Sequence, residues 1–145
     1  LRLHGAESKD YHQQLGINSR LDEIQAAVLV AKFPHLQTWT KRRREIAAMY
    51  GEELAEVPDL QLPIEQPGCR HVYHQYTVRC SRRDELRDGL KERGVGSSIY
   101  YPLALHLQEV FADLNYAEGD MPHAEMAAKQ VLSLPMFPEM TDEVL

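Results

Sequence analysis

Residues 15–22 combine the side chains best suited to holding an anion. Gly16 permits a tight turn, Asn18 supplies a carboxamide, Arg20 supplies a guanidinium, and an apolar helical pattern follows. The first N–H groups of a helix point outward and carry partial positive charge, so this segment can form an anion site. The alternative is that Asn18 or Ser19 caps the helix while Arg20 lies in solvent. Local physical chemistry favours capping and leaves the anion site open.

Other residue types that often carry chemistry form no recognisable site. The sequence holds seven histidines, but His71 and His74 would point to opposite faces of a strand. Neither an HExxH motif nor a Cys/His cluster occurs. The two cysteines, Cys69 and Cys80, lack the spacing of a zinc site and are too few for a disulfide framework. The sequence therefore predicts no metal site.

The composition is that of an ordinary soluble globular domain. The 145 residues carry a formal charge of −6 at pH 7, and 43% of them are hydrophobic. No apolar run approaches the roughly 18 residues that span a bilayer. The acidic balance argues against nucleic-acid binding, and the arginines at 42–44 are interpreted as a solvated helix face. We therefore expect a cytoplasmic protein that binds neither membranes nor nucleic acid.

Both ends of the sequence suggest a longer protein. The chain begins at Leu1 without an initiator Met, and Thr141 resembles a helix N-cap that only four residues follow. A helix that short is not stable by itself, because nucleation costs several ordered residues. We expect the chain to be a piece of a larger polypeptide.

Hydrophobic periodicity predicts helices that alternate with short strands. Residues 1–18 are polar and lack a clear period. A helical apolar pattern then runs over 19–33, is interrupted at Pro34 and resumes over 35–56. After an extended connector at 58–68, the predicted elements are a strand over 71–80, a helix over 82–93 closed by Gly94, a strand over 95–101, a helix over 121–130 and a strand over 131–136. This order favours a two-layer α+β fold, with helices packed on a small mixed or antiparallel sheet.

Six motifs follow one another along the chain. They are Gly16-Ile-Asn-Ser-Arg-Leu-Asp-Glu-Ile-Gln-Ala-Ala27; Trp39 with Arg43, Arg44, Ala47 and Tyr50; His71-Val-Tyr-His-Gln-Tyr-Thr-Val78; Ile99-Tyr-Tyr-Pro102 with Leu105 and His106; Gly119-Asp-Met-Pro122 with Ala124 and Glu125; and Leu132-Ser-Leu-Pro-Met136. Together they resemble the DegT/StrS family of sugar aminotransferases. The resemblance is colinear over nearly the whole chain.

The resemblance implies a pyridoxal-phosphate (PLP) enzyme with the aspartate-aminotransferase fold. Such enzymes transfer an amino group, usually from glutamate, to a keto group of a nucleotide-linked sugar, and PLP forms a Schiff base with a lysine. In the family that lysine precedes the Gly-x-Asn-x-Arg motif, so no catalytic residue is predicted within this chain. Residues 1–18 would end the large PLP domain, and 19–145 would form a truncated small C-terminal domain. The complete protein would be a homodimer.

The same resemblance implies binding roles for four residues. Asn18 matches an asparagine that reaches the cofactor phosphate across the dimer. Arg20 matches a position near the substrate, where a guanidinium suits its phosphates or the carboxylate of the amino donor. Tyr101 and His106 match a loop that lines the sugar pocket, and packing of a strand end is the alternative for both.

Two other functions remain open. The chain could be a non-catalytic helical module for interaction or dimerisation. It could also come from a PLP-dependent sugar dehydratase of the same family, in which another residue stands at the lysine position. On any of these interpretations the piece alone would be inactive.

The resemblance also implies an exposed apolar patch. In the family the helix predicted over 19–33 packs against the large domain, which this chain lacks. Leu15, Ile17, Leu21, Ile24 and Val28 would then face solvent or a second copy. We expect self-association through this segment, because large apolar patches are seldom left open.

Overall fold

The structure is a computed structural model that describes residues 2–8 and 11–141. The chain forms two compact units, residues 1–37 and residues 38–145. The helix predicted after Thr141 falls on residues 142–145, outside the described residues. None of the helices in the described ranges has the length and apolar character needed to cross a membrane.

The first unit begins with a β-hairpin that hydrophobic periodicity does not predict. Strand β1 (Ala6–Ser8) pairs antiparallel with β2 (Tyr11–His12). Gly5, just before β1, has a positive φ of 76°, and a Cβ there would lie 1.8 Å from the carbonyl oxygen of Gln14. Only glycine fits, because it has no Cβ and adopts positive φ without strain. Backbone pairing therefore gives part of residues 1–18 regular structure, although this segment lacks hydrophobic periodicity.

The first helix begins later than its apolar pattern does. Helix α1 spans Glu23–Lys32, and its N-cap is Asp22, which makes no side-chain capping hydrogen bond. The predicted start at Ser19 is wrong, because residues near 19 pair with the chain start instead: the Ser19 N–H donates to the Arg2 carbonyl at 3.0 Å. Pro34 lies in a 3₁₀ turn over Phe33–His35, after which helix α2 spans Leu36–Glu53. The predicted interruption at Pro34 is confirmed.

The second unit is built on a three-stranded antiparallel sheet in the order β3-β4-β5. The strands are β3 (Leu60–Gln61), β4 (Tyr76–Cys80) and β5 (Val131–Leu134). The unit also contains α2 from residue 38 onward, α3 (Arg83–Glu92) and α4 (Pro122–Gln130). Of the two predicted sheet types, mixed and antiparallel, the structure has the antiparallel one, and β3 lies inside the segment interpreted as a connector.

The strand predicted over 95–101 does not form. Ser98 alone bridges Ser133, through two backbone hydrogen bonds of 3.0 and 2.7 Å. Ser133 already belongs to β5, whose other edge pairs with β4. A single bridged residue leaves the rest of this segment irregular, and that segment leads directly to Tyr101.

The core of the second unit joins its helices to its sheet. Fully buried side chains come from α2 (Ile46), β4 (Val78) and β5 (Leu132). Leu86 and Leu90 of α3 pack against the cluster around Val78 and Leu132, from the positions that helical periodicity predicts. The unit is an α+β arrangement, as expected, whereas its place in a longer protein stays a prediction.

Candidate functional site

Asn18 is held in place by backbone pairing with the start of the chain. It forms an isolated antiparallel bridge with Leu3, flanked by hydrogen bonds from the His4 N–H to the Ile17 carbonyl and from the Ser19 N–H to the Arg2 carbonyl, both 3.0 Å. The backbone of Asn18 is therefore fixed while its side chain remains exposed. The carboxamide of Asn18 is therefore available to bind a group that lies beside this segment.

Arg20 lies next to Asn18 and completes a donor pair. The Arg20 Nε donates to Asn18 Oδ1 at 3.5 Å. This contact orients the Asn18 NH₂ group away from Arg20, and within residues 2–8 and 11–141 that group has no hydrogen-bond acceptor. Carboxamide and guanidinium N–H groups are donors that suit an oxyanion such as a phosphate.

The position of the N-cap at Asp22 excludes both capping by Asn18 or Ser19 and an anion site at the helix N-terminus. Capping by Asn18 or Ser19 is wrong, because the N-cap of α1 is Asp22. The helix N-terminus also does not supply the anion site, since Asn18 lies four residues ahead of the cap. What remains of the anion site is side-chain chemistry alone, from Asn18 and Arg20.

Tyr101 and His106 lie in the second unit, on a loop that runs from the Ser98 bridge to α4. Tyr101 is 72% exposed, and its ring lies 5.8 Å from the ring of Tyr100 in an edge-on arrangement. A cavity of about 380 Å³ adjoins this stretch and is lined by residues that include His74, Gln75, Ser97, Ser98, Tyr100 and Met136. Tyr100 lines this cavity of mixed polar and apolar character, whereas Tyr101 is not one of the residues that line it.

His106 is buried, in contrast to Tyr101. It is 8% exposed, and its Nε2 lies 3.0 Å from Oε1 of Glu125, itself 8% exposed. The ring of Tyr116 stands edge-on to the His106 ring at 6.1 Å. His106 thus belongs to a buried polar pair, and its predicted place in a sugar pocket stays a prediction.

Glu125 organises this part of the structure, although the sequence motif that contains it predicts no role for it. Its carboxylate also accepts from the Gly119 N–H at 2.9 and 3.0 Å and from the Met121 N–H at 3.2 Å. Burial raises the pKa of Glu125, but the hydrogen bonds from Gly119, Met121 and His106 together outweigh burial and hold that pKa below its usual value. Glu125 is therefore ionised at neutral pH. The sequence signal that points to it is a carboxylate in the first turn of a helix after a Gly-Asp turn.

The described lysines all lie at the surface of the chain. A lysine that holds PLP covalently is activated by desolvation or a neighbouring charge. Lys32, Lys41, Lys91 and Lys129 are all exposed, and Lys129 pairs with Glu118 at 3.1 Å. The donor set of Asn18 and Arg20 fits the phosphate of PLP.

Comparisons with known proteins agree with the motifs. A family model described as the DegT/DnrJ/EryC1/StrS aminotransferase family matches residues 1–145. The chain is 57% identical to a pleiotropic regulatory protein of Geobacillus stearothermophilus, over 99% of this chain and 39% of that protein. It is 45% identical to the dTDP-3-amino-3,4,6-trideoxy-alpha-D-glucose transaminase of Streptomyces venezuelae, over 97% of this chain and 37% of that protein.

The structural comparison gives the same family. The crystal structure of S. venezuelae DesV in complex with a ketimine intermediate matches with a TM-score of 0.91 at 44% identity, over 99% of this chain and 39% of that one. The chain therefore spans 37–39% of the length of these relatives. Because the family model covers every residue, the chain belongs to the DegT/DnrJ/EryC1/StrS aminotransferase family.

Proposed function

We propose that this chain is the C-terminal part of a PLP-dependent aminotransferase that transfers an amino group from glutamate to a keto group of a nucleotide-linked sugar. The observation that carries the proposal is similarity along the whole chain to a dTDP-amino-sugar transaminase, at 45% identity in sequence. The fold similarity to DesV supports it independently of any single motif.

The chain's part in that reaction is binding. PLP, when bound, supplies an electron sink for the amino transfer. Asn18 donates its amide N–H groups to the cofactor phosphate of the neighbouring subunit, and Arg20 pairs with an oxyanion of the sugar nucleotide or with the carboxylate of the amino donor. Tyr101 and His106 belong to the loop that lines the sugar pocket.

The covalent attachment of PLP is a task of the rest of the protein. The described lysines are exposed, and the resemblance implies that the lysine precedes the Gly-x-Asn-x-Arg motif. We therefore assign no catalytic residue to this chain and expect the 145-residue piece to be inactive by itself.

A second candidate function is supported by one observation. The Geobacillus relative, at 57% identity, carries the name pleiotropic regulatory protein. A regulatory role would use this chain as a non-catalytic interaction module, with the apolar patch of its first unit as the contact surface.

Two measurements separate the candidates. The full-length protein is incubated with PLP, glutamate and a dTDP- or UDP-linked keto sugar, and 2-oxoglutarate is quantified; we expect production that depends on the sugar. The 145-residue chain is treated with PLP and borohydride, and we expect no label at one specific lysine. Production of 2-oxoglutarate by the 145-residue chain alone would contradict the proposal that covalent attachment of PLP needs the rest of the protein. A full-length protein that binds PLP yet transfers nothing to any such sugar would favour the regulatory candidate.

A further inference from the structure

The loop between Tyr101 and α4 has little regular structure of its own. It contains two 3₁₀ turns, Leu105–Leu107 and Glu109–Leu114, and it reaches α4 only at Pro122. A loop of this length keeps one conformation only where side chains tie it down. The contacts that do so identify the residues that control its shape.

One carboxylate supplies three of these contacts. Glu125 of α4 accepts hydrogen bonds from His106 near the start of the loop and from the Gly119 and Met121 N–H groups at its end. Gly119 and Met121, which Glu125 joins to His106, lie 13 residues or more after His106 in the chain. The side chains of His106 and Glu125 are 4% and 9% exposed. A buried carboxylate is costly unless its oxygens are satisfied, and here both oxygens accept hydrogen bonds.

The geometry also settles which nitrogen of His106 carries a proton. An ionised carboxylate only accepts hydrogen bonds, so Nε2 of His106 must donate to it. Nδ1 is then the nitrogen of His106 that remains for any other partner. The ring is held from one side by Glu125 and lies edge-on to Tyr116.

Side chains at 101–103 are exposed, and from 103 to 106 exposed and buried side chains alternate. Ala104 and His106 are buried, whereas Tyr101 and Leu105 are 72% and 71% exposed. The buried side chains fix the backbone, and the exposed ones are presented by it. A contact that holds His106 therefore controls where Tyr101 and Leu105 stand.

We infer that Glu125 is a positioning residue: by holding His106, Gly119 and Met121 at one carboxylate, it fixes the loop that presents Tyr101 and Leu105 to the sugar. The inference rests on the proposed function, because it takes the sugar as the ligand of this loop. Glu125 itself does not touch the substrate.

The first test needs no ligand and uses the 145-residue chain. Amide hydrogen exchange at Gly119 and Met121 and the nitrogen shifts of the His106 ring are measured by NMR for wild type, Glu125→Ala and Glu125→Gln. Glu118→Gln is the matched control, since Glu118 lies on the same loop but is exposed and pairs with Lys129. We expect exchange to accelerate about tenfold or more in Glu125→Ala, by the size of a charged hydrogen bond. Glu125→Gln should show a smaller effect because its amide oxygen still accepts, and the control should match wild type.

The wild-type His106 ring should be protonated on Nε2. A neutral ring protonated on Nδ1, or exchange in Glu125→Ala within about twofold of wild type, would overturn the inference. If Glu125→Ala does not fold, Glu125→Gln and His106→Gln provide the same comparison, since each keeps one polar partner.

The second test uses the full-length protein and steady-state kinetics. We expect KM for the sugar nucleotide to rise about tenfold in Glu125→Ala, with kcat changed far less and partial recovery in Glu125→Gln. A purely structural role would lower the active fraction, and hence kcat, at unchanged KM, and that result would overturn the inference while leaving the proposed function standing. A wild-type protein without transaminase activity would overturn the proposed function, and with it the sugar as ligand, while the exchange data would still report the loop contact.

Discussion

Arg44 and Glu65 hold the backbone of a single residue, His71, between them. The Arg44 guanidinium contacts both carboxylate oxygens of Glu65, at 2.5 Å from Nη1 and 3.3 Å from Nη2. The same Nη1 donates to the His71 carbonyl at 2.7 Å, and Glu65 accepts from the His71 N–H at 2.8 Å. The connector between β3 and β4 is thus attached to α2 by a charged pair, which fixes the approach of the chain to the central strand.

This pair predicts a pH dependence of stability. The hydrogen bonds from Arg44 and His71 lower the pKa of Glu65 from 4.5 to about 2. Because the folded-state pKa is depressed, Glu65 stabilises the fold fully above pH 4.5 and loses that contribution as pH falls from 4.5 to about 2. Glu65→Gln should therefore lower Tm at pH 7, and the gap to wild type should close as the pH approaches 2.

The control for this measurement is Glu52→Gln, at an exposed carboxylate of α2, the helix that also carries Arg44; this variant should follow wild type at every pH. Added salt should narrow the Glu65 gap at pH 7, since the pair is partly exposed. A Tm difference between wild type and Glu65→Gln that is equal at neutral and at strongly acidic pH would show that the ion pair is not its source.

Asn18 gives a prediction for the complete protein. A hydrogen bond to a charged partner contributes roughly 1.5–3 kcal/mol, so Asn18→Ala should weaken PLP retention by about ten- to a hundredfold. Asn18→Asp should weaken it further, because a carboxylate would face the phosphate. The measurement is cofactor titration of the full-length variants, with Gln25→Ala, an exposed amide of α1, as the control.

Thermal stability measured in parallel separates the contact of Asn18 with the cofactor phosphate from its contact with Arg20. Arg20 Nε lies 3.5 Å from Asn18 Oδ1, so an aspartate at 18 should leave Tm unchanged or raise it slightly. Asn18→Asp that binds PLP as tightly as wild type would rule out the phosphate contact.

The apolar patch of the first unit predicts self-association. Leu15, Ile17, Leu21, Ile24 and Val28 are all exposed, as the family resemblance implies, and no residue of α1 is buried. Covering such side chains stabilises a complex by about 25 cal/mol for each Å² of apolar surface. The 145-residue chain should therefore sediment as a dimer or larger species at high concentration and bind a hydrophobic dye.

Ile24→Glu should shift that equilibrium toward monomer without lowering Tm, because Ile24 is 81% exposed. The matched control is Ile64→Glu, at a residue of the second unit that is similarly exposed. A wild-type chain that remains monomeric at high concentration and binds no dye would contradict this prediction.

The core of the second unit predicts a large loss of stability on truncation. Leu132 of β5 is fully buried in the cluster with Val78 and Ala47. Leu132→Ala should lower the free energy of unfolding by about 2–5 kcal/mol, through lost burial and the cavity that remains. Urea unfolding measures the change, and Leu114→Ala, at an exposed position, should differ from wild type by roughly 0.5 kcal/mol or less. A loss below about 1 kcal/mol for Leu132→Ala would show that this strand is not central to folding.

Elements with strong local signals could be predicted from the sequence. Helix α3 was predicted over 82–93 and spans Arg83–Glu92. Gly94, which follows the end of this helix, has a positive φ, and its N–H donates to the Lys91 carbonyl. The Val95 N–H donates to the Leu90 carbonyl. Helix α4 was predicted over 121–130 and spans Pro122–Gln130, because proline suits a first helical turn. Periodicity, a proline at the first turn and a glycine stop all act within a few residues, so the sequence displays them directly.

Features that depend on contacts between residues far apart in the chain are decided only by the tertiary structure. Hydrophobic periodicity does not predict the hairpin near Gly5, and it predicts a strand over 95–101 that does not form. Strand formation depends on which backbone is available to pair, and periodicity does not report this. Asn18 and Arg20 are close in sequence, so their proximity was foreseeable, whereas the cap at Asp22 was not. His106 and Glu125 are separated by 19 residues, and a buried carboxylate meets its imidazole only when the loop between them has closed. The sequence by itself determined the family and the local helices, and three-dimensional packing decided which polar side chains act together.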